Sequence, residues 1–202
     1  GSPVSVEVGD PAMRLLAQEV VYQRDPGQLV AREKASLRLE GNGGALVYGE
    51  EMMITEEELL LPSGGEFLWA ENGSRLVAAG ALSYLVREGT FRTEAGFTFF
   101  ARDTVVEGRK IEGDLHTESF TASGDLHFRH GEIKGEAGLM IYDQQADLLR
   151  LVDSPILSWE NGVLRGAEET VIHYTLTTGQ VRAEGPSKMR VRQEKEVEFG
   201  GN

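Results

Sequence analysis

The chain has 202 residues, 40% of them hydrophobic and 26% charged, with a formal net charge of −13 and no cysteine. This length and apolar content support a sizeable core and argue against global disorder. The negative charge disfavours nucleic acid and anionic membrane surfaces, and the lack of thiols excludes disulfides, zinc–thiolate sites and a cysteine nucleophile.

In chain order, Gly1 and Ser2 read as a cloning remnant, so a natural signal or anchor before Pro3 stays open. "VSVEV" (4–8) is the first alternating segment. "PAMRLLAQEVVY" (11–22) places Met13, Leu16, Ala17 and Val20 on a helical stripe, yet its second half recurs downstream as a strand pattern, and it is read as strand. "SLRLE" (36–40), "GFTFFA" (96–101), "GDLHFRH" (124–130) and "SKMRVR" (187–192) alternate in the same way. The 25 glycines are spread along the chain and punctuate it with turn residues. This is the pattern of an all-β chain. The closing "RQEKEVEFGGN" reads as a charged tail that frays over about 193–202. No run reaches the ~18–20 apolar residues of a membrane-spanning helix.

Four tyrosines share one frame. Five residues after Tyr22, Tyr84, Tyr142 and Tyr174 stand Gly27, Gly89, Asp147 and Gly179. Seven after stand Leu29, Phe91, Leu149 and Val181; two before stand Val20, Leu82, Met140 and Ile172. The spacings imply two further units without tyrosine. One lies near position 53, with Leu60, Pro62 and Gly64 in the repeated slots, and one near 113, with Phe120, Ala122 and Gly124. Six units spaced by 29 to 32 residues follow. Each is too long for one strand at ~3.3 Å per residue, and none buries its own apolar face, so the units must stack. The expectation is one elongated domain over 1–202, a stacked antiparallel β-jellyroll built from about six ~30-residue repeats.

Stacking turns equivalent residues into ladders. Those expected to face inward are Leu82, Tyr84, Phe91, Phe97, Phe99 and Phe120, then Leu126, Phe128, Met140, Tyr142 and Leu149, and finally Ile156, Trp159, Ile172, Tyr174 and Val181. They form a core if the stack is closed, and line a groove for an apolar ligand if it is open. Little else carries chemistry. His127 and His130 are three apart and point to opposite faces of a strand, so no shared metal is expected. "TEEE" (55–58) is a solvated charge run or a protected edge, and Asn72-Gly73-Ser74 reads as a turn rather than a glycosylation site. No P-loop, nucleophile elbow or dinucleotide fingerprint is present, so no catalytic residue, cofactor or metal is assigned.

The segments "AQEVVYQRDPGQLVA", "AGALSYLVREGTFRTEAG", "AGLMIYDQQADLLRL" and "VIHYTLTTGQVRAEG" together resemble the OstA-like family. That family comprises the periplasmic lipopolysaccharide transport proteins LptA and LptC and the N-terminal domain of LptD. Where its motif often has an acidic residue after the alanine, this chain has Gln18, Gly80 and Gly138. The resemblance implies a taco-shaped stack whose apolar interior, formed by the ladder residues above, shields the acyl chains of lipopolysaccharide or another acylated lipid. It implies a periplasmic protein, soluble or anchored in the inner membrane. It also implies edge-strand pairing with other OstA-like proteins, or head-to-tail with copies of itself, through Val4–Val8 and Met189–Phe199. A structural β-solenoid is the alternative, and a polysaccharide-acting β-helix a weaker one.

Overall fold

The structure is a computed structural model describing residues 3–8, 13–25, 27–40, 44–70 and 73–191. Among these residues there are 21 strands and no helix, and the strands join into one antiparallel sheet. The segment over 11–22 is strand where described, as its recurrence indicated: β2 (Met13–Ala17) and β3 (Glu19–Gln23). Alternation is the cause. Met13, Leu15 and Ala17 are buried while Arg14 and Leu16 face out, a period of two that no helix provides. Numbered in chain order, the strands fall into two halves.

One half runs β3, β4 (Gln28–Leu39), β5 (Ala45–Ile54), β6 (Glu58–Leu61), β9 (Leu82–Leu85), β10 (Thr90–Thr93), β13 (Lys110–Asp114), β14 (Ser119–His130), β15 (Ile133–Asp143), β16 (Leu148–Val152), β19 (Val171–Thr175) and β20 (Val181–Glu184). The other runs β1 (Val4–Val8), β2, the far ends of β4 and β5, β7 (Gly65–Trp69), β8 (Arg75–Ala78), β11 (Phe97–Ala101), β12 (Thr104–Gly108), the far ends of β14 and β15, β17 (Ile156–Trp159), β18 (Gly162–Gly166) and β21 (Ser187–Val191).

Four long strands therefore belong to both halves, and the sheet folds where they bend. The register of β4 against β5 slips between Arg32 and Ala35, with Glu33 and Lys34 at φ of 60° and 61°. That of β14 against β15 slips between Ser123 and Leu126, with Gly124 at 82° and Asp125 at 51°. Such bulges bend a strand sharply and raise its twist. Between them the crease is stitched by backbone bonds, from Ala79 N–H to Gly96 O, Gly96 N–H to Arg109 O and Arg109 N–H to Gly124 O. Gly64 sits in this crease at φ 84°, where a β-carbon would lie 2.3 Å from the Ala78 carbonyl oxygen. The hairpin turns of both halves lie at the edge away from the crease.

The tyrosine frame is realised as cross-strand register. Tyr22 stands opposite Leu29, Tyr84 opposite Phe91, Tyr142 opposite Leu149 and Tyr174 opposite Val181. The residues five after each tyrosine all take positive φ, including Asp147 at 52°. Between these hairpins the same row continues through Ile54, Leu59, Gly113 and Phe120, so one ladder crosses twelve strands of the first half.

The two units without tyrosine differ. Near 53 the expected phase is off by one: Ile54, Leu59 and Leu61 point inward and Leu60 is only partly buried. The turn spans 55–58, the same length as 86–89, but here the pair that closes the turn is itself the inward pair. Thr55 Oγ1 accepts the N–H groups of Glu57 and Glu58, so "TEEE" is a hydroxyl-capped turn.

Near 113 the frame holds and glycine takes the tyrosine slot for lack of room. A β-carbon on Gly113 would lie 2.3 Å from Phe91 Cζ. Gly113→Ala should cost about 1–3 kcal/mol by overpacking. Combined with Phe91→Leu it should cost less than the sum by about 1 kcal/mol or more, read as a double-mutant cycle in urea unfolding. Strict additivity would show that the Phe91 ring is not what excludes the side chain.

Candidate functional site

Both halves turn one apolar face inward, and the two faces share a single core cluster. From the first half come Met52, Leu61, Leu82, Ile111, Met140 and Ile172, all at most 1% exposed. From the second come Leu15, Leu37, Val47, Phe67, Leu76 and Leu157, all fully buried. In the middle, aromatic rings bridge the halves. Phe67 lies 5.0 Å from Trp69 and 5.3 Å from Tyr84, and Trp69 meets Phe91 and Phe99 edge-on. Phe99 meets Phe120 at 4.8 Å, and Phe120 meets Tyr142 at 5.0 Å. Offset and edge contacts of this kind add about 0.5–1.5 kcal/mol each beyond burial.

The interior opens in two places. On the long side a 550 Å³ cavity has Phe99, Phe120, Tyr142 and Leu149 along its floor. Its rim comes from turns of both halves: Arg102 and Asp103 between β11 and β12, Glu118 before β14, and Gln144 and Asp147 before β16. At the C-terminal end of the stack a second cavity of 570 Å³ is lined by Ile133, Trp159, Leu164, Val181, Ala183 and Met189. Both volumes fall within the roughly 300–1,000 Å³ of ligand sites. No strand follows β20 or β21 among the described residues, which is why Val181 and Met189 are 38% and 63% exposed. The N-terminal end mirrors this, with Tyr22 at 64% although it shares the frame of the buried tyrosines.

The expected inward residues divide as follows. Leu82, Tyr84, Phe91, Phe97, Phe99, Phe120, Leu126, Phe128, Met140, Leu149, Ile172 and Tyr174 are buried in the common core. Tyr142 and Trp159 are partly buried against it. Val181 has the same orientation but lies at the open end. Ile156 is the correction: it pairs with Glu136 on the outer face, and its neighbour Leu157 is the buried residue. The short strand "ILSW" is apolar at adjacent positions, so alternation alone did not give its phase. Phe67 and Trp69, at the centre of the aromatic bridge, escaped the tyrosine frame because their strand lies in the other half. Their i, i+2 spacing in "EFLW" was the available signal. Asn72 and residues 192–199 lie outside the described residues.

Several of the remaining polar groups have local partners, whereas Trp69 Nε1 and Thr93 Oγ1 are buried without a hydrogen bond. His130 faces inward, its Nδ1 2.8 Å from Thr104 Oγ1 and its ring edge-on to Tyr174. His127 faces outward, 3.9 Å from Glu136. Asp114 accepts the N–H of His116 and of Thr117, Asp143 that of Ala146, and Asp147 that of Thr177, so these carboxylates hold the turns in shape. Burial raises the Tyr84 hydroxyl above its ordinary pKa, with Asp114 adding to the effect. Burial and then Asp147 do the same to Tyr142 and Tyr174. These phenols stay neutral. Among the described residues no three His, Asp or Glu side chains converge as a metal ion requires, and no helix is long and apolar enough to cross a membrane.

No family model and no curated protein matches the sequence. Among solved structures, the chain is similar to LptH of Pseudomonas aeruginosa, the LptA-homologous periplasmic component of a lipopolysaccharide transport device. The TM-score is 0.54 at 14% identity, over 61% of this chain and 97% of that one. The likeness establishes the fold: the chain is an all-β jellyroll of the LptA-like kind.

Proposed function

We propose that this protein is a non-enzymatic carrier of lipopolysaccharide or a similar acylated glycolipid, working in the periplasm as one module of a protein bridge. The observation that supports it best is the folded sheet itself. Its two apolar faces open along one side over Phe99, Phe120, Tyr142 and Leu149, and again at the C-terminal end. Burying an acyl chain is worth about 0.8 kcal/mol per CH₂, so a polyacyl lipid does not cross water unaided. A trough of equivalent ladders offers comparable burial at each step and permits sliding. The fold shared with LptH supports the same reading, and the outer edges of β1, β3, β20 and β21, unpaired among the described residues, suit pairing with neighbouring modules.

A purely structural scaffold is the second reading, favoured by the closely packed aromatic middle. Photo-crosslinking separates the two. A photo-reactive phenylalanine at Phe99 or Tyr142 should capture lipopolysaccharide or another acylated glycolipid in cells, and one at outward-facing Thr121 should not. Capture at Thr121 with none at Phe99 and Tyr142 rejects transport in favour of the scaffold.

A further inference from the structure

One outward face departs from the acidity of the chain. On the C-terminal strands of the second half, β14, β15, β18 and β21, two adjoining rows point away from the core. The first carries Arg129, Lys134 and Arg190, and the second Arg165 and Lys188. From β12 to β21 these rows hold two carboxylates, Glu107 and Glu136, on a chain with 33 acidic and 20 basic residues. Arg129 stands directly opposite Lys134, and Arg165 directly opposite Lys188. Like charges so placed weaken a strand pair. None of the four makes an ion pair among the described residues. The fold gains nothing from these pairs, whereas an anion supplied from outside offsets both. At the first pair the face is hollowed into a 340 Å³ depression, where Arg129, Lys134 and Ser158 adjoin Val105 and Ile156.

We propose that this face docks the protein on a bilayer surface rich in anionic lipids, their phosphates lying over the five cations. Partly exposed Val105, Ile156 and Val163 stand between the charges. Cations interleaved with apolar side chains suit a headgroup layer, where the first meet phosphate and the second reach the acyl boundary. An acidic protein would need carboxylates in register with each cation, whereas mobile headgroups need no register. The net charge of −13 opposes docking for the molecule taken whole, but carboxylates farther away than the ~10 Å screening length of 0.1 M salt add little. The inner side of the same strands lines the C-terminal cavity. Ile133 adjoins Lys134, Leu164 adjoins Arg165, and Met189 lies between Lys188 and Arg190. Docking therefore brings that opening to the bilayer and, resting on the carrier reading above, makes it the place where an acyl chain enters or leaves. The docking itself stands without that reading.

The test uses the full chain and sedimenting vesicles of phosphatidylcholine, with or without phosphatidylglycerol, in about 0.1 M salt. Vesicles with phosphatidylglycerol should bind roughly tenfold tighter or more, and the difference should largely vanish at about 0.5 M salt. A lysine or arginine at an anionic surface is worth about fivefold in affinity. Arg129→Gln/Lys134→Gln should therefore lose about 20-fold, yet resist urea as well as wild type, because the repulsion goes with the charges. If that variant fails to fold, Arg165→Gln/Lys188→Gln takes its place with the same expectation. Arg24→Gln/Arg87→Gln, the same change of charge on exposed turns of the first half, should lose less than about twofold. Equal binding to the two kinds of vesicle, or equal losses in the patch and turn variants, overturns the proposal. So does a wild type that ignores the vesicles, including one that instead self-associates through these side chains. Photo-capture at Phe99 or Tyr142 reports on the carrier reading separately, so either can fail alone.

Discussion

Tyr174→Ala should destabilise the protein by about 3–5 kcal/mol, whereas Tyr22→Ala should stay within about 0.5 kcal/mol of wild type. The two tyrosines occupy the same slot of the same frame, each opposite the residue seven further on. Only their surroundings differ. Tyr174 is 1% exposed, its ring packed against Phe128 at 5.9 Å and against His130 at 5.8 Å. Its truncation removes a large apolar surface from the interior and leaves a cavity that flanking strands, tied on both sides, cannot close. Tyr22 is 64% exposed on β3, which among the described residues pairs with β4 alone. Thermal or urea unfolding of the two variants reads the difference directly. Similar losses at both sites would mean that the tyrosine stabilises its own hairpin, and that stacking is not what gives the ladder its stability.

Gly64→Ala should be nearly as damaging, at about 3 kcal/mol or more, because two penalties coincide: a side chain at positive φ and overpacking against backbone. The φ of 84° alone is strained for alanine, and the new β-carbon would lie 2.3 Å from Ala78 O and 3.1 Å from Gly80 O. These are backbone atoms of the crease and cannot rotate away as a side-chain tip does. Gly27→Ala is the control. Its φ of 81° is almost the same, yet nothing lies within 4 Å of the added carbon, so about 1 kcal/mol is expected. Equal effects in unfolding experiments would assign the loss to φ alone and remove the crowded crease from the account.

Much of this was legible beforehand, for identifiable reasons. The spacing of Tyr84 from Phe91 and of Tyr142 from Leu149 is a local property of one hairpin, set by turn length and a residue at positive φ. Recurrence of its second half downstream likewise gave strand for "PAMRLLAQEVVY" despite its helical stripe. What escaped was non-local. The phase near 53 depends on which pair closes the turn, and Ile156 turned outward because β17 pairs with β15 through Glu136. Phe67 and Trp69 matter because the sheet folds back on itself, bringing β7 against the ladder of the other half, and no one strand records that.

The amino-acid sequence by itself determined the strand class, the hairpin register and the net acidity, because each rests on residues a few positions apart or on composition. The tertiary structure alone decided where the crease falls, and which ladder positions are sealed and which lie at an opening. Those are properties of two halves meeting across a fold, set by bulges at Arg32–Ala35 and Ser123–Leu126 and by the ends of the stack, where no further strand covers Tyr22 or Val181 among the described residues.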